Sequence, residues 1–494
     1  MNYIEFILPA LVIVPALLAV SSLLFRSVRS AMWFNVTATI VIAVLAGVAG
    51  HKTVMSGVIV ASGGWLMMDA LSTYHMLVMM LVFVLSAFYS VGYFLREELD
   101  GHFDRRAARR FTALYLGSLS AMMLVLVSNN LGLMWVGIEA TTLLTAFLII
   151  IHSTPSSLEA MWKYLLMCSV GVAFAFTGTI LVAASTAKAH MIGADLLHWN
   201  RLMESAAGLD KSLLKMGFIF LVVGFGTKAG LAPMHNWLPD AHSQAPAPVS
   251  AIFSGFLLNA ALYCILRYIP ILDIATGNRA WAHDILIMFG IASILIAAAF
   301  IVAQRDVKRL LAYSSVEHLG IIAFGIGIGG LGTFAALFHI LNHSLCKATS
   351  FCCAGTLGQI YGTHDMRKMT GIMKKAPVWG IGFLTGLLAL IGLAPFALFL
   401  SEFLILKAAW DAEAYWAMSF FLVGLGVVFI GILRNAMPMA WGTPPDDIPE
   451  TKATSIGMLV VAVPICILLV LGLWMPEPLR NALTQAISVL GEKI

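Results

Sequence analysis

The sequence predicts an all-α polytopic membrane protein with about 14 transmembrane helices, and two observations carry that prediction. The 494 residues are 60% hydrophobic and only 11% charged, with mean hydropathy +0.93, whereas soluble domains average roughly a quarter charged residues. Apolar runs of roughly 20 residues, enough to cross about 30 Å of hydrocarbon as helix, recur from one end of the chain to the other. Only helices and closed barrels satisfy their backbone inside lipid, and runs of this length are helical.

The spans centre near residues 14, 40, 82, 119, 140, 173, 224, 257, 292, 318, 343, 388, 429 and 465. The first run, ILPALVIVPALLAVSSLLF, lacks a basic n-region and a small-residue cleavage site, so it reads as a retained helix and not a signal peptide. The last stretch, PEPLRNALTQAISVLGEKI, reads as amphipathic and interfacial. Short loops rich in Lys and Arg stay in the cytoplasm. Arg26 and Arg29, the cluster from Arg96 to Arg110, Arg305 to Arg309, and Arg367 to Lys375 fall on one side, which places the N-terminus outside a cytoplasmic (inner) membrane. The long loop before residue 215 carries Arg201, Lys211 and Lys215 on the other side, together with Asp195, Glu204 and Asp210. Arg96, Glu97, Glu98, Asp100 and Asp104 read as a solvated loop.

All six cysteines (Cys168, Cys264, Cys346, Cys352, Cys353, Cys466) lie within predicted spans, without a C-x-x-C pair. That argues against a zinc, iron–sulfur or other redox centre in this chain. No Gly-rich phosphate loop follows a strand, and a net charge of +4 is ordinary for a positive-inside topology, so nucleotide and nucleic-acid binding have no support.

An ionisable side chain near the bilayer centre costs roughly 2.5 to 3.5 kcal/mol on insertion scales, so those that cannot reach an interface are the candidates for function. Glu139, in NNLGLMWVGIEATTLLTAFLII, sits about ten residues from either end of its span and is too short to snorkel. Transport fits it, and so does a merely structural hydrogen bond from Thr141, Thr142 or a neighbouring helix. Lys228 ends FIFLVVGFGTKAGLAP, where Pro233 removes a helix hydrogen bond, so the helix breaks just after the lysine. GLAP recurs at 392 to 395 in LLALIGLAPFALFLSEFL, where Pro395 interrupts a second span and Glu402 follows. Paired broken segments are the best sequence pointer to a transport site.

Between the two breaks lies LFHILNHSLCKATSFCCAG. His339, His343 and Lys347 recur every four residues on one helical face, spread over about 12 Å. A proton relay fits this stripe best and core hydrogen bonding is the alternative; His-x-x-x-His could also hold a metal, although no nearby carboxylate or cysteine completes a ligand set. Lys163, in LEAMWKYLLMCSVG, is placed to pair with Glu139 on the neighbouring helix. His318 can connect the stripe to the cytoplasmic side or sit at an interface, and His235 and Asp240 either form a proton entrance or stabilise the proline-rich bend.

The stretches SNNLGLMWVGIEATTLLTAFLI, SSLEAMWKY, GFGTKAGLAPMHNWLPDAHSQAPAPVSA, QRDVKRLLAYSSVEHLG and LNHSLCKA resemble the antiporter-like proton-channel subunits shared by respiratory complex I, membrane-bound nickel–iron hydrogenases and Mrp cation/proton antiporters. The resemblance runs from about residue 70 to 440, and its wording is most similar to the hydrogenase-4 component F branch, the formate-hydrogenlyase type. It implies fourteen helices with two inverted five-helix repeats, each containing a broken helix. The corresponding segments are 1–110 (helices 1–3), 111–270 (first repeat), 271–441 (second repeat) and 442–494 (last helix and amphipathic C-terminus).

The resemblance also implies that Glu139 and Lys228 form a coupled pair in the first half-channel, that Lys347 lies on a central axis, and that Glu402 belongs to the second half-channel. Lys163 matches the lysine of the sixth helix. One departure stands out: where relatives often carry a lysine or histidine on the eighth helix, this chain has Ser254 and Asn259, so the link from Lys228 to Lys347 must run through water, Asn259 or another side chain. The function implied is a non-catalytic, proton-translocating membrane subunit without cofactors of its own. Its partners would be other membrane subunits and a soluble redox arm holding nickel–iron and iron–sulfur centres, and its ion would be the proton or, in an antiporter, sodium. The rival readings are a Mrp-like sodium/proton antiporter or inorganic-carbon uptake subunit, and a non-pumping scaffold.

Overall fold

Helix starts are set by polar residues standing where the apolar runs begin. The computed structural model describes residues 4–189 and 191–493. From the N-terminus the helices are α1 (Ile4–Ser21), α2 (Val28–Ser56), α3 (Ala70–Leu99), α4 (Arg105–Val127), α5 (Leu131–Ile149) and α6 (Pro155–Ser185). After α7 (Trp199–Ser205) come α8 (Lys211–Ala229), α9 (Trp237–Gln244), α10 (Ala247–Ile252) and α11 (Leu258–Thr276). The second half holds α12 (Ala280–Ala303), α13 (Val307–Ile328), α14 (Leu331–Tyr361), α15 (Ile372–Lys375), α16 (Pro377–Leu390), α17 (Ala397–Asp411), α18 (Tyr415–Trp441), α19 (Ser455–Leu473) and α20 (Glu477–Val489). The Asp69 carboxylate accepts the Ser72 N–H at 2.9 Å to start α3. Asn130 does the same for Gly132 and Leu133 at 3.0 and 3.1 Å in α5, and Asp306 for Lys308 and Arg309 at 2.9 Å in α13. Each cap satisfies amide groups that the first turn leaves without a partner.

All fourteen expected centres fall on helices. Among the described residues, twelve helices are long and apolar enough to cross a membrane by length and composition. The centres near 343 and 388 fall outside that set: α14 has 31 residues and carries the polar stripe, and α16 stops after 14 residues at the second GLAP. Besides helices the chain forms a small antiparallel hairpin, β1 (Ile59–Ala61) with β2 (Leu66–Met68).

Two expectations change here. Arg96 and Glu97 belong to the last turns of α3, not to a solvated loop; Glu97 lies 3.0 Å from His152. The C-terminal amphipathic α20 packs its apolar face, Leu483, Ala486 and Ile487, on the protein, against α3 and α14. Beyond it, Glu492 pairs with Arg279 at 3.1 Å and accepts the Gly330 N–H at 2.8 Å. An apolar stripe reads alike whether lipid or protein covers it.

The span from Ala247 to Thr276 is buried throughout its apolar window, and α13 almost as fully. These two and α14 form the buried centre, where any polar side chain must find protein partners.

Candidate functional site

Both GLAP segments break their helices, and each break presents an ion. α8 ends at Ala229, one residue beyond Lys228, with Gly230 at φ 78° in the left-handed region. A Cβ on Gly230 would lie 2.5 Å from Leu238, so both backbone and packing require glycine there. In the second break α16 ends at Leu390 and α17 starts at Ala397. Gly392 has φ 68°, and a Cβ on it would meet the Glu402 carboxylate at 2.2 Å. The buried acid is seated in the space this glycine leaves.

Lys228 is fully buried. Its ammonium donates to Thr142 Oγ1 at 2.9 Å and to the Tyr164 hydroxyl, and it lies 4.6 Å from the centre of the Tyr164 ring. Tyr164 shares a 2.6 Å hydrogen bond with Thr145. Glu139, three residues before Thr142 on α5, accepts the Ser169 hydroxyl at 3.1 Å, and its other oxygen is buried without a hydrogen bond. Thr141 and Thr142 donate to the Ile138 carbonyl and not to Glu139. Among the described residues Glu139 and Lys228 make no direct ion pair; the acid and the lysine stand on one polar seam through the Thr142 turn.

The expected pairing of Lys163 with Glu139 is not formed. Lys163 is half exposed and pairs with Glu159 at 2.6 Å and Asp240 at 3.0 Å. Sequence spacing places Lys163 at a depth but not at an azimuth, and on α6 it is Ser169 and Tyr164 that face the acid and the lysine. Asp240 bridges Lys163 and Arg309, tying α6, α9 and α13 together. His235 is buried, with its ring edge-on to Phe300 and Tyr313.

Between the lysines, hydroxyl groups take the place of a base. α10 passes into α11 through a π-helical turn, Phe253–Leu257, a local widening frequent at functional sites. Its Phe253 ring lies 6.1 Å from Tyr164, and its Ser254 hydroxyl meets Ser315 at 2.7 Å. Ser315 donates to the Leu311 carbonyl at 3.0 Å, and the Lys347 ammonium donates to that same oxygen at 2.9 Å. Asn259 donates to Ser344 on α14 at 3.1 Å.

The stripe residues His339, His343 and Lys347 are all fully buried. His318 Nδ1 and His339 Nε2 share a hydrogen bond of 2.9 Å, and His339 Nδ1 is 2.8 Å from the Ser401 hydroxyl. The His343 ring lies 5.1 Å from His318 and has no hydrogen bond at either nitrogen. His318 is therefore an interior member of the stripe and not an interfacial residue. Ser401 leads directly to Glu402.

The fold brings a carboxylate to the histidine stripe. One ligand atom each from His318, His339 and Glu402 lies within 4.8 Å of the others. The two histidines already use ring nitrogens on each other and on Ser401.

Three buried groups of this axis escaped the sequence reading. Glu317 is fully buried, with both carboxylate oxygens lacking hydrogen bonds. His242 stacks on Phe351 at 4.8 Å, with both nitrogens unpartnered. Lys308 donates to the carbonyls of Ser243 and Ala245 at 3.1 and 2.5 Å. A scan of every titratable letter inside the spans would have found Glu317; the other two become buried through the proline bend. Away from the axis, Arg267 forms a forked ion pair with Asp69 at 2.5 and 2.9 Å, with Ser72 and Tyr263 completing its hydrogen bonds.

Such a row of buried, hydrogen-bonded and titratable side chains can pass protons by short hops, each change of charge altering the proton affinity of the next group. The family described as NADH:quinone oxidoreductase/Mrp antiporter, transmembrane, matches residues 128–428 of the chain. The chain belongs to this family. The match spans both breaks and the whole axis. Among its relatives, a hydrogenase-4 component F homolog of Methylacidiphilum infernorum is 41% identical over 386 residues, 78% of this chain and 81% of that protein. Hydrogenase-4 component B of Escherichia coli is 28% identical over 82% of this chain and 62% of its own length. A chain of the membrane-bound sulfane sulfur reductase, an archaeal respiratory membrane complex, superposes with a TM-score of 0.86 at 23% identity, covering 99% of this chain and 98% of that one. That likeness shows the fold.

Proposed function

We propose that the chain is the non-catalytic, proton-translocating membrane subunit of a hydrogenase-4 or formate-hydrogenlyase type complex, or of a complex I-like oxidoreductase. The observation that carries this reading is the polar row: the partly buried Glu139 with Ser169, then the buried Lys228 with Thr142 and Tyr164, Ser254 with Ser315, Lys347, the histidines and Glu402. Electron transfer at nickel–iron and iron–sulfur centres of a partner redox arm would shift the charge balance along this row. Lysines and carboxylates would then exchange protons with the two sides in turn. Family membership and the 41% identical relative support the assignment.

In this reading α14 and the broken α16–α17 pair also cross the bilayer, completing fourteen spans. Residues 111–270 and 271–441 are then the two inverted repeats, and the matching breaks at Gly230 and Gly392 support that division. The basic loops support an N-terminus outside the inner membrane. Lys163, Asp240 and His235 stand at the rim of the first half, where the Asp240 bridge can gate access. An antiporter using the same scaffold would move sodium against protons through this row.

The test is proton uptake by the purified complex in sealed vesicles during turnover. Glu139→Gln and Lys228→Ala are each expected to abolish uptake while the partner redox chemistry persists with an uncoupler present. Intact uptake in both variants refutes the assignment.

A further inference from the structure

Outside the axis an apolar hollow of about 570 Å³ lies between α3 and α19. Leu77, Met80, Leu81, Val84, Val463 and Ile467 stand in its wall. Where this hollow ends a second cavity of 190 Å³ begins, and the two share Phe88, Ile456 and Val460. The second cavity is of different character: Arg96, Gln359, Trp379, Lys452 and Thr454 line it. Together they make one groove, apolar along most of its length and basic at one end.

Its dimensions follow from the helices that build it. On α3 the apolar part runs from Leu77 to Phe88, about 16 Å at 1.5 Å per residue, close to the ~15 Å depth of one leaflet. From Phe88 to Arg96 is a further ~12 Å, the depth of a headgroup layer. The α19 side runs antiparallel, from Ile467 at the apolar end to Lys452 at the basic end. Among the described residues neither the Arg96 nor the Lys452 side chain makes a hydrogen bond or ion pair. Glu97, the residue next to Arg96, lies 3.0 Å from His152 and accepts from Gln359 at 3.3 Å.

An apolar trough one leaflet deep, closed by two unpaired cations and an indole at headgroup level, has the chemistry of a phospholipid seat. We propose that this groove binds one anionic glycerophospholipid, with an acyl chain lying along α3 and α19 and the phosphate held by Arg96 and Lys452. A helix of a partner subunit would fill the trough but would leave the two cations without a counter-charge.

The experiment is lipid retention by the full complex. It is incorporated into nanodiscs of phosphatidylglycerol and phosphatidylcholine in equal amounts, purified through detergent, and the bound lipid is measured by native mass spectrometry. The wild type is expected to retain about one phosphatidylglycerol per chain, enriched roughly tenfold over phosphatidylcholine. Arg96→Gln with Lys452→Gln is expected to remove that preference, and Val463→Phe, which fills the trough, to remove the retained lipid. Equal retention of the two lipids by the wild type overturns the proposal. So does unchanged enrichment in the charge variant, or a crosslink from a photoreactive residue at 463 to a partner protein instead of lipid.

Discussion

The hydroxyls of Ser254 and Ser315 meet at 2.7 Å across the interface between the π-helical turn and α13, and Ser315 and Lys347 converge on one carbonyl, that of Leu311. Where a lysine or histidine was expected on the eighth helix, a serine pair and a shared oxygen stand beside Lys347. A serine cannot store a proton as charge, but its hydroxyl can accept one hydrogen bond while donating another.

If that contact joins the halves, Ser254→Ala and Ser315→Ala will each slow proton uptake by roughly tenfold, equivalent to ~1.4 kcal/mol in the barrier. The double variant should lose no more than either single, because both remove the same contact. The measurement is dye-monitored uptake in vesicles at matched turnover.

Tyr164 is the second prop of a fully buried ammonium. Tyr164→Phe keeps the ring but leaves Lys228 with Thr142 alone, and leaving a buried donor short of a partner costs about 1–3 kcal/mol. The thermal midpoint of the detergent-solubilised complex should fall, and Lys228→Met in the same background should restore part of the loss.

Gly392→Ala puts a methyl group where the Glu402 carboxylate sits, 2.2 Å away, at a φ of 68° that disfavours any side chain. Proton uptake should fall to the level of Glu402→Gln, while Gly426→Ala, in open space on α18, changes nothing.

The Asp69–Arg267 pair holds α3 to α11. Removing one partner, as in Arg267→Met, should destabilise by about 3–5 kcal/mol, whereas replacing both, Asp69→Leu with Arg267→Met, should recover most of it. Thermal unfolding of the four proteins, wild type, two singles and the double, measures the coupling.

The fold was legible because apolar length and proline breaks act locally: every expected span centre lies on a helix, and both GLAP breaks occur where the prolines demanded. Residues on one helix were legible for the same reason, since His339, His343 and Lys347 need only helical spacing to align. What escaped was azimuth and distance in sequence. Lys163 turns to Asp240 because α6 presents Tyr164 and Ser169 to the acid and lysine instead. Glu317, one residue before His318, is fully buried on a helix that neighbours cover almost completely. Glu402 reaches His318 and His339 only through the fold, and Asp69 finds Arg267 across almost two hundred residues.

If protons cross through the polar row, they pass Lys347. The direct measurement is the number of protons taken up per electron pair transferred by the reconstituted complex, wild type against Lys347→Met. The ratio in Lys347→Met is expected to fall to the background of unsealed vesicles while electron transfer continues when an uncoupler is added. An unchanged ratio in Lys347→Met would contradict it.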